Sequence, residues 1–161
     1  MSSRIYTTVG TFLSIMAFAF VANTAQAQDP AVVDSTSLYE RLGGIYAIAT
    51  VVDDFIERLV VNDVLNANPA IDEARASVPK AGLKYRVTEL MGQVTGGPQT
   101  YTGRSMKDTH VYMNITEQEW QAMMADFQAT LDLFEVPAQE QEEMIAIMES
   151  TKADIVKAEG M

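Results

Sequence analysis

Between Ile45 and Val61 the apolar side chains recur at one spacing: Ile48, Val51, Val52, Phe55, Ile56, Leu59 and Val60. That is the i, i+3, i+4 pattern of a single helix face, and a face so continuous has to be buried against other elements. No stretch of the chain alternates with period two over a strand's length, so no sheet is expected to cover it. The remaining cover must come from further helices, and the fold class read from the sequence is all-α.

Helix boundaries are written into the text around this stripe. Ser37-Leu38-Tyr39-Glu40 has the spacing of a capping box, and Gly43-Gly44 ends that short helix. Asn62 to Ala76 reads as irregular, with repeated Asn and Pro69. Pro79 suits the first turn of the next helix, which carries Leu83, Val87, Leu90, Met91 and Val94 and stops at Gly96-Gly97-Pro98. Ser105 to Asp108 forms a cap pattern opening a short helix that contains His110. Thr116-Glu117-Gln118-Glu119 is a second capping box; its helix carries Trp120, Met123, Phe127, Leu131 and Phe134. A single last helix from Val136-Pro137 carries Met144, Ile147, Met148, Thr151, Ile155 and Val156.

The first 27 residues have a different character. Arg4 is their only charge, an uncharged apolar run extends from Ile5 to Ala22, and Ala25-Gln26-Ala27 is a small-x-small cleavage site. This is the layout of a secretory signal peptide. The run is also long enough for a retained anchor, but the Ala-x-Ala site favours cleavage and no membrane attachment afterwards. Residues 28–36 read as a linker and 37–157 as one helical domain, exported to a periplasm or to the exterior.

Composition then removes whole classes of chemistry. The 161-residue chain has 11 Lys and Arg against 22 Asp and Glu, a formal charge of −11, which argues against a nucleic-acid partner. With no cysteine there is no disulfide, thiolate zinc site, iron–sulfur cluster or thioether-linked haem. One histidine, His110, leaves no multi-histidine metal site. By residue chemistry alone that His is a surface group, a satisfied core residue or a ligand. Met106 lies one turn before it and Met113 and Ile115 follow, so its surroundings are apolar. A neutral imidazole is the usual proximal ligand of non-covalent haem, which also needs a large apolar slot. Phe55, Ile56, Leu83, Val87, Met91, Trp120 and Phe127 would supply one, or would simply pack together as core. Asp53-Asp54 reads as a solvated face, and the last helix's Glu140, Glu142, Glu143 and Glu149 as capping and solubility.

Several segments, in order, resemble the truncated haemoglobins, the short bacterial globins, and most of all their first group. They are Leu38-Tyr39-Glu40-Arg41-Leu42-Gly43-Gly44; Gly96-Gly97-Pro98-Gln99-Thr100-Tyr101-Thr102-Gly103-Arg104-Ser105-Met106 followed by His110; Asn114-Ile115-Thr116; and Val136-Pro137. The resemblance spans about Ser37 to Val156. It implies a two-over-two helical sandwich around haem b held without covalent bonds, with His110 as the proximal iron ligand. It implies that the other ring N–H of His110 bonds a carbonyl one turn back, that of Met106. Arg86 falls where the family often faces a haem propionate, and is otherwise a solvated helix charge. Tyr101 and Met106 match positions near the proximal face; for Tyr101 the alternative is a loop anchor.

The departures from the family pattern concern the other face of the haem. Ile56 stands where the family usually presents a distal Tyr, and Leu83 and Val87 stand at the two sites that usually carry its polar partners. The expected distal face is therefore apolar, with weak O2 retention, faster autoxidation and a relative preference for CO or NO. Asn66, Asn68, Tyr85 and Lys84 are the nearby residues from which a donor, or in the case of Lys84 a sixth iron ligand, would have to come. The function expected is reversible binding of a diatomic gas. The alternative is a haem enzyme with NO dioxygenase or peroxidase-like activity, which needs a polar distal group and an electron donor such as an unidentified reductase.

Overall fold

The computed structural model describes residues 36–157. The leader over 1–27 and nearly all of the linker over 28–36 lie outside the described residues. Nine helices occupy the described part: α1 Leu38–Arg41, α2 Gly44–Val61, α3 Asp63–Asn66, α4 Pro69–Ser77, α5 Lys80–Val94, α6 Met106–His110, α7 Glu117–Leu133, α8 Ala138–Ser150 and α9 Lys152–Ile155. The only extended pairing among the described residues is an isolated parallel bridge between Ile115 and Val156. The all-α expectation holds.

Both capping boxes form. The Ser37 hydroxyl accepts from the Glu40 N–H while the Glu40 carboxylate accepts from the Ser37 N–H, and Thr116 and Glu119 repeat the exchange. Gly43 and Gly44 adopt φ of 88° and 77°, left-handed values that a side chain would strain. The chain thereby turns sharply from α1 into α2. Gly97 is required by space, since a Cβ there would sit 2.6 Å from the Gln99 amide oxygen and run into the Tyr39 ring.

The apolar stripe of α2 does what its continuity demands. Ile48, Val52, Phe55 and Ile56 are buried, and α2 packs against both α5 and α7, while α7 packs against α8. These pairs make the two-over-two sandwich. Its core joins Phe55, Ile56, Met91, Phe127, Leu131 and Met144, and Phe55 meets Phe127 edge to face at 5.2 Å. A smaller cluster of Leu65, Ile71 and Ile115 packs with Met113, Ile155 and Val156.

Three details differ from the sequence reading. Residues 62–76 are mostly helical: the Asn62 side chain caps α3, the Asn68 side chain caps α4, and Pro69 takes the first position of α4. The Asn-rich text is thus a pair of N-caps rather than loop. Pro79 is the N-cap of α5 and lies just outside its first turn. The last helix is interrupted at Thr151, whose hydroxyl bonds the Met148 carbonyl, and resumes as α9.

Candidate haem cavity

The site is built around α6. Ser105 caps this five-residue helix by accepting from the Asp108 N–H at 3.0 Å, and His110 occupies its last turn. The His110 Nδ1–H donates to the Met106 carbonyl at 2.8 Å. That bond assigns the proton to Nδ1 and leaves the Nε2 lone pair for a ligand. Burial holds the imidazole below its ordinary pKa, and the Met106 carbonyl opposes this only in part. The ring is therefore neutral at pH 7, the form that coordinates a metal.

His110 opens onto an apolar cavity of about 990 Å³. Phe55 and Ile56 reach it from α2; Leu83, Arg86, Val87 and Met91 from α5; Trp120 and Phe127 from α7; and Tyr101, Met106, Met113 and Ile115 from α6 and its flanking loops. All twelve residues nominated from the sequence beside His110 thus line one space. Among the described residues no cluster of His, Asp and Glu is arranged to hold a bare metal ion. One imidazole at the wall of a large apolar space instead suits a metal carried by a flat, greasy organic ligand, and the cavity has the size of a cofactor pocket.

Charged groups sit at particular places on the lining. Arg86 donates to Glu89 at 2.8 Å and to the Thr102 hydroxyl, so it lines the cavity while tied to the α5–α6 loop. Tyr101 is both lining and anchor: its O–H donates to the Arg104 carbonyl at 2.9 Å and its N–H to the Gln93 side chain at 2.7 Å. Arg104 donates to the Asp108 carbonyl. Lys80, at the start of α5, donates to Glu57 at 2.8 Å.

Four residues considered as donors at the other face are engaged elsewhere. Asn66 donates to the Val60 carbonyl, and Asn68 caps α4 and donates to the Met113 carbonyl at 3.0 Å. Lys84 is clamped between Asp53 and Glu57 at 2.6 and 2.5 Å, and Tyr85 is exposed; neither lines the cavity. The acidic residues read as a solvated face (Asp54) or as capping and solubility (Glu140, Glu143) are in fact ion-paired. Asp54 binds Arg58 at 2.6 Å and accepts from the buried Thr130 hydroxyl at 2.8 Å, and Glu140 and Glu143 hold Arg41 at 2.9 and 2.5 Å, joining α8 to α1.

Sequence reasoning missed the wall made by α3 and α4, which brings Leu65, Ile71, Ala74, Arg75 and Val78 to the cavity. The signal was present in Asn62 and Asn68-Pro69, each a cap before an apolar residue. It missed Thr109 and Arg104 as lining as well.

Comparison with known proteins bears on the family and the fold. The family model described as bacterial-like globin matches residues 37–157. A group 1 truncated hemoglobin GlbN of Nostoc sp. is 30% identical over 88 residues, 55% of this chain and 70% of that protein. A second GlbN, from Mycolicibacterium paratuberculosis, is 25% identical over 127 residues, 79% of this chain and 89% of the relative. Among solved structures, the truncated hemoglobin of Tetrahymena pyriformis in its Fe(III) form superposes with a TM-score of 0.64 at 23% identity, covering 76% of this chain and all of that one. The 2/2 hemoglobin of a Synechococcus species, in the cyanomet state with covalently attached heme, gives 0.66 at 23% identity over 75% and 98% of the two chains. The chain belongs to the bacterial-like globin family and has the truncated, two-over-two form of its fold.

Proposed function

We propose that the protein is an exported globin that holds haem b non-covalently through His110 and binds a diatomic gas at the iron's opposite face. Membership of the globin family carries the coarser part, haem-based gas binding. The observation that supports the finer part is the His110 imidazole: half-buried, neutral, lining an apolar cavity, with Nδ1 committed to the Met106 carbonyl so that Nε2 is left for a ligand. Haem, when bound, would supply the iron at which a diatomic gas coordinates reversibly.

The chain's own residues do the rest. The Met106 carbonyl orients the ring and raises its basicity as a ligand. Phe55, Met91, Trp120 and Phe127 give the apolar walls that exclude water from the metal. Arg86, bonded to Glu89 and Thr102 on the cavity lining, would pair with a haem propionate, as the resemblance implies. Ile56, Leu83 and Val87 offer a bound gas no hydrogen bond from their own positions. Non-covalent attachment is supported by the absence of cysteine and by the commitment of the sole histidine to iron, which leaves neither residue for a link to the porphyrin. Export is supported by Arg4, the apolar run over 5–22 and Ala25-Gln26-Ala27.

The test is to express the full chain with haem supplied, record its absorption, and extract it with acidified ketone. A Soret band that shifts with CO and reverses on its removal, with haem passing wholly into the organic layer, is the expected result. A colourless protein sinks the haem assignment, and haem retained by the precipitated chain sinks the non-covalent one.

A further inference from the structure

Sulfur is concentrated at the cavity. The chain has ten methionines, of which Met1, Met16 and Met161 lie outside the described residues. Of the seven that remain, six line the cavity: Met91 from α5, Met106 from α6, Met113 from the turn after it, Met123 from α7, and Met144 and Met148 from α8. Met124, next to Met123 on α7, does not. Met91 and Met144 are buried, while Met124 is half-buried.

An apolar lining does not by itself call for sulfur. Leu and Met have similar volumes and exchange in cores at small cost, so packing alone would accept Leu at these positions. What Met adds is a thioether, which is polarisable and open to oxidation. The chain has no cysteine, so no thiol competes with these thioethers for an oxidant. A neutral oxidant such as a hydroperoxide enters an apolar space at far less cost than a charged one.

We propose that the cavity methionines are an oxidation site, a sink for hydroperoxides that reach the haem. This rests on the haem-binding reading proposed above. The step is a two-electron oxygen-atom transfer. The O–O bond of ROOH breaks, its outer oxygen forms a bond to a methionine sulfur, and the proton that oxygen carried passes to the RO fragment to give ROH. The thioether is oxidised to the sulfoxide, the hydroperoxide is reduced to the alcohol or to water, and no further reductant is consumed. Methionine sulfoxide is polar and can be reduced back to the thioether enzymatically, so the sink is renewable. The competing role is packing alone, by flexible side chains that fit around a bulky group.

The place of oxidation separates the two roles. The full chain, with and without haem, would be treated with an equimolar amount of hydrogen peroxide, and the oxygen gained at each methionine located by mass spectrometry of its peptides. Without haem, access from solvent governs, and Met124 is expected to oxidise before Met91 and Met144. With haem the order is expected to reverse, with sulfoxide at Met91 and Met144 several-fold above that at Met124. As a second measurement, the haem-loaded triple variant Met123→Leu, Met144→Leu, Met148→Leu is expected to lose its Soret band to excess peroxide several-fold faster than the unaltered chain. Met124 oxidised first in both forms, oxygen found on Trp120 or Tyr101 in place of the methionines, or equal bleaching of variant and parent would reduce the thioethers to packing. Each of these overturns the inference while leaving haem binding intact. Failure of the unaltered chain to develop a Soret band would overturn both.

Discussion

Ile56 shows how one side chain sets the character of a site. It is almost fully buried, faces the cavity from α2, and presents only carbon to it. Bound O2 carries partial negative charge on its outer atom, and a hydroxyl directed at it slows release. Ile56→Tyr is therefore expected to slow O2 dissociation by about tenfold, one hydrogen bond's worth, which flash photolysis would read directly. An unchanged rate would mean that the ligand does not bind on the α2 side. At this scale the sequence was informative wherever chemistry is rare. A lone His in apolar text narrowed the candidates to one side chain while leaving surface, core and ligand roles open, and the carbonyl bond to Met106 forms as the resemblance implied. Arg75 was not legible, because an arginine in what reads as a loop carries no mark of which wall its helix will build.

Among the elements, α2 and α5 are held by more than their apolar faces. Lys80 and Lys84 of α5 both bind Glu57 of α2, and Lys84 also binds Asp53. Hydrogen bonds from the two lysines hold the Glu57 carboxyl down to about 2 from an ordinary 4.5. A carboxyl lowered by folding adds stability that is complete above its ordinary pKa and is lost as pH falls through the lowered one. Glu57→Gln should thus melt at lower temperature than the parent at pH 7 and lose less on acidification from about 4.5 to 2, followed by circular dichroism. Equal slopes for the two proteins would show that the pairs form equally in the unfolded chain. Solvent screens these exposed groups, so the effect is expected to be small. Helices with a long apolar stripe and a capping box, α2 and α7, were legible because period and cap agree. α3 and α4 were not, since four and nine residues hold too few turns for a period to emerge, and only the Asn caps remained as evidence. The break at Thr151 was equally hidden: the apolar positions of α8 and α9 continue one another across it.

At the scale of the molecule, the sandwich explains why core and site draw on the same residues. Phe55, Ile56, Met91 and Phe127 belong both to the buried core and to the cavity lining, so periodicity alone had no means of separating a packed interior from a cofactor slot. The distinction became physical only when α6 placed His110 at the edge of that interior with one nitrogen bonded and the other left for a ligand. The central claim, that this nitrogen holds the iron, is tested most directly by a cavity at its own position. Ferrous spectra of the haem-loaded full chain would be recorded beside His110→Gly, with and without added imidazole. The unaltered chain is expected to be five-coordinate and high-spin and to shift with CO. His110→Gly is expected to lose that spectrum and to regain it when imidazole fills the vacated site. A glycine variant whose ferrous and CO spectra match the parent without imidazole would contradict the account, because some other group would then hold the iron.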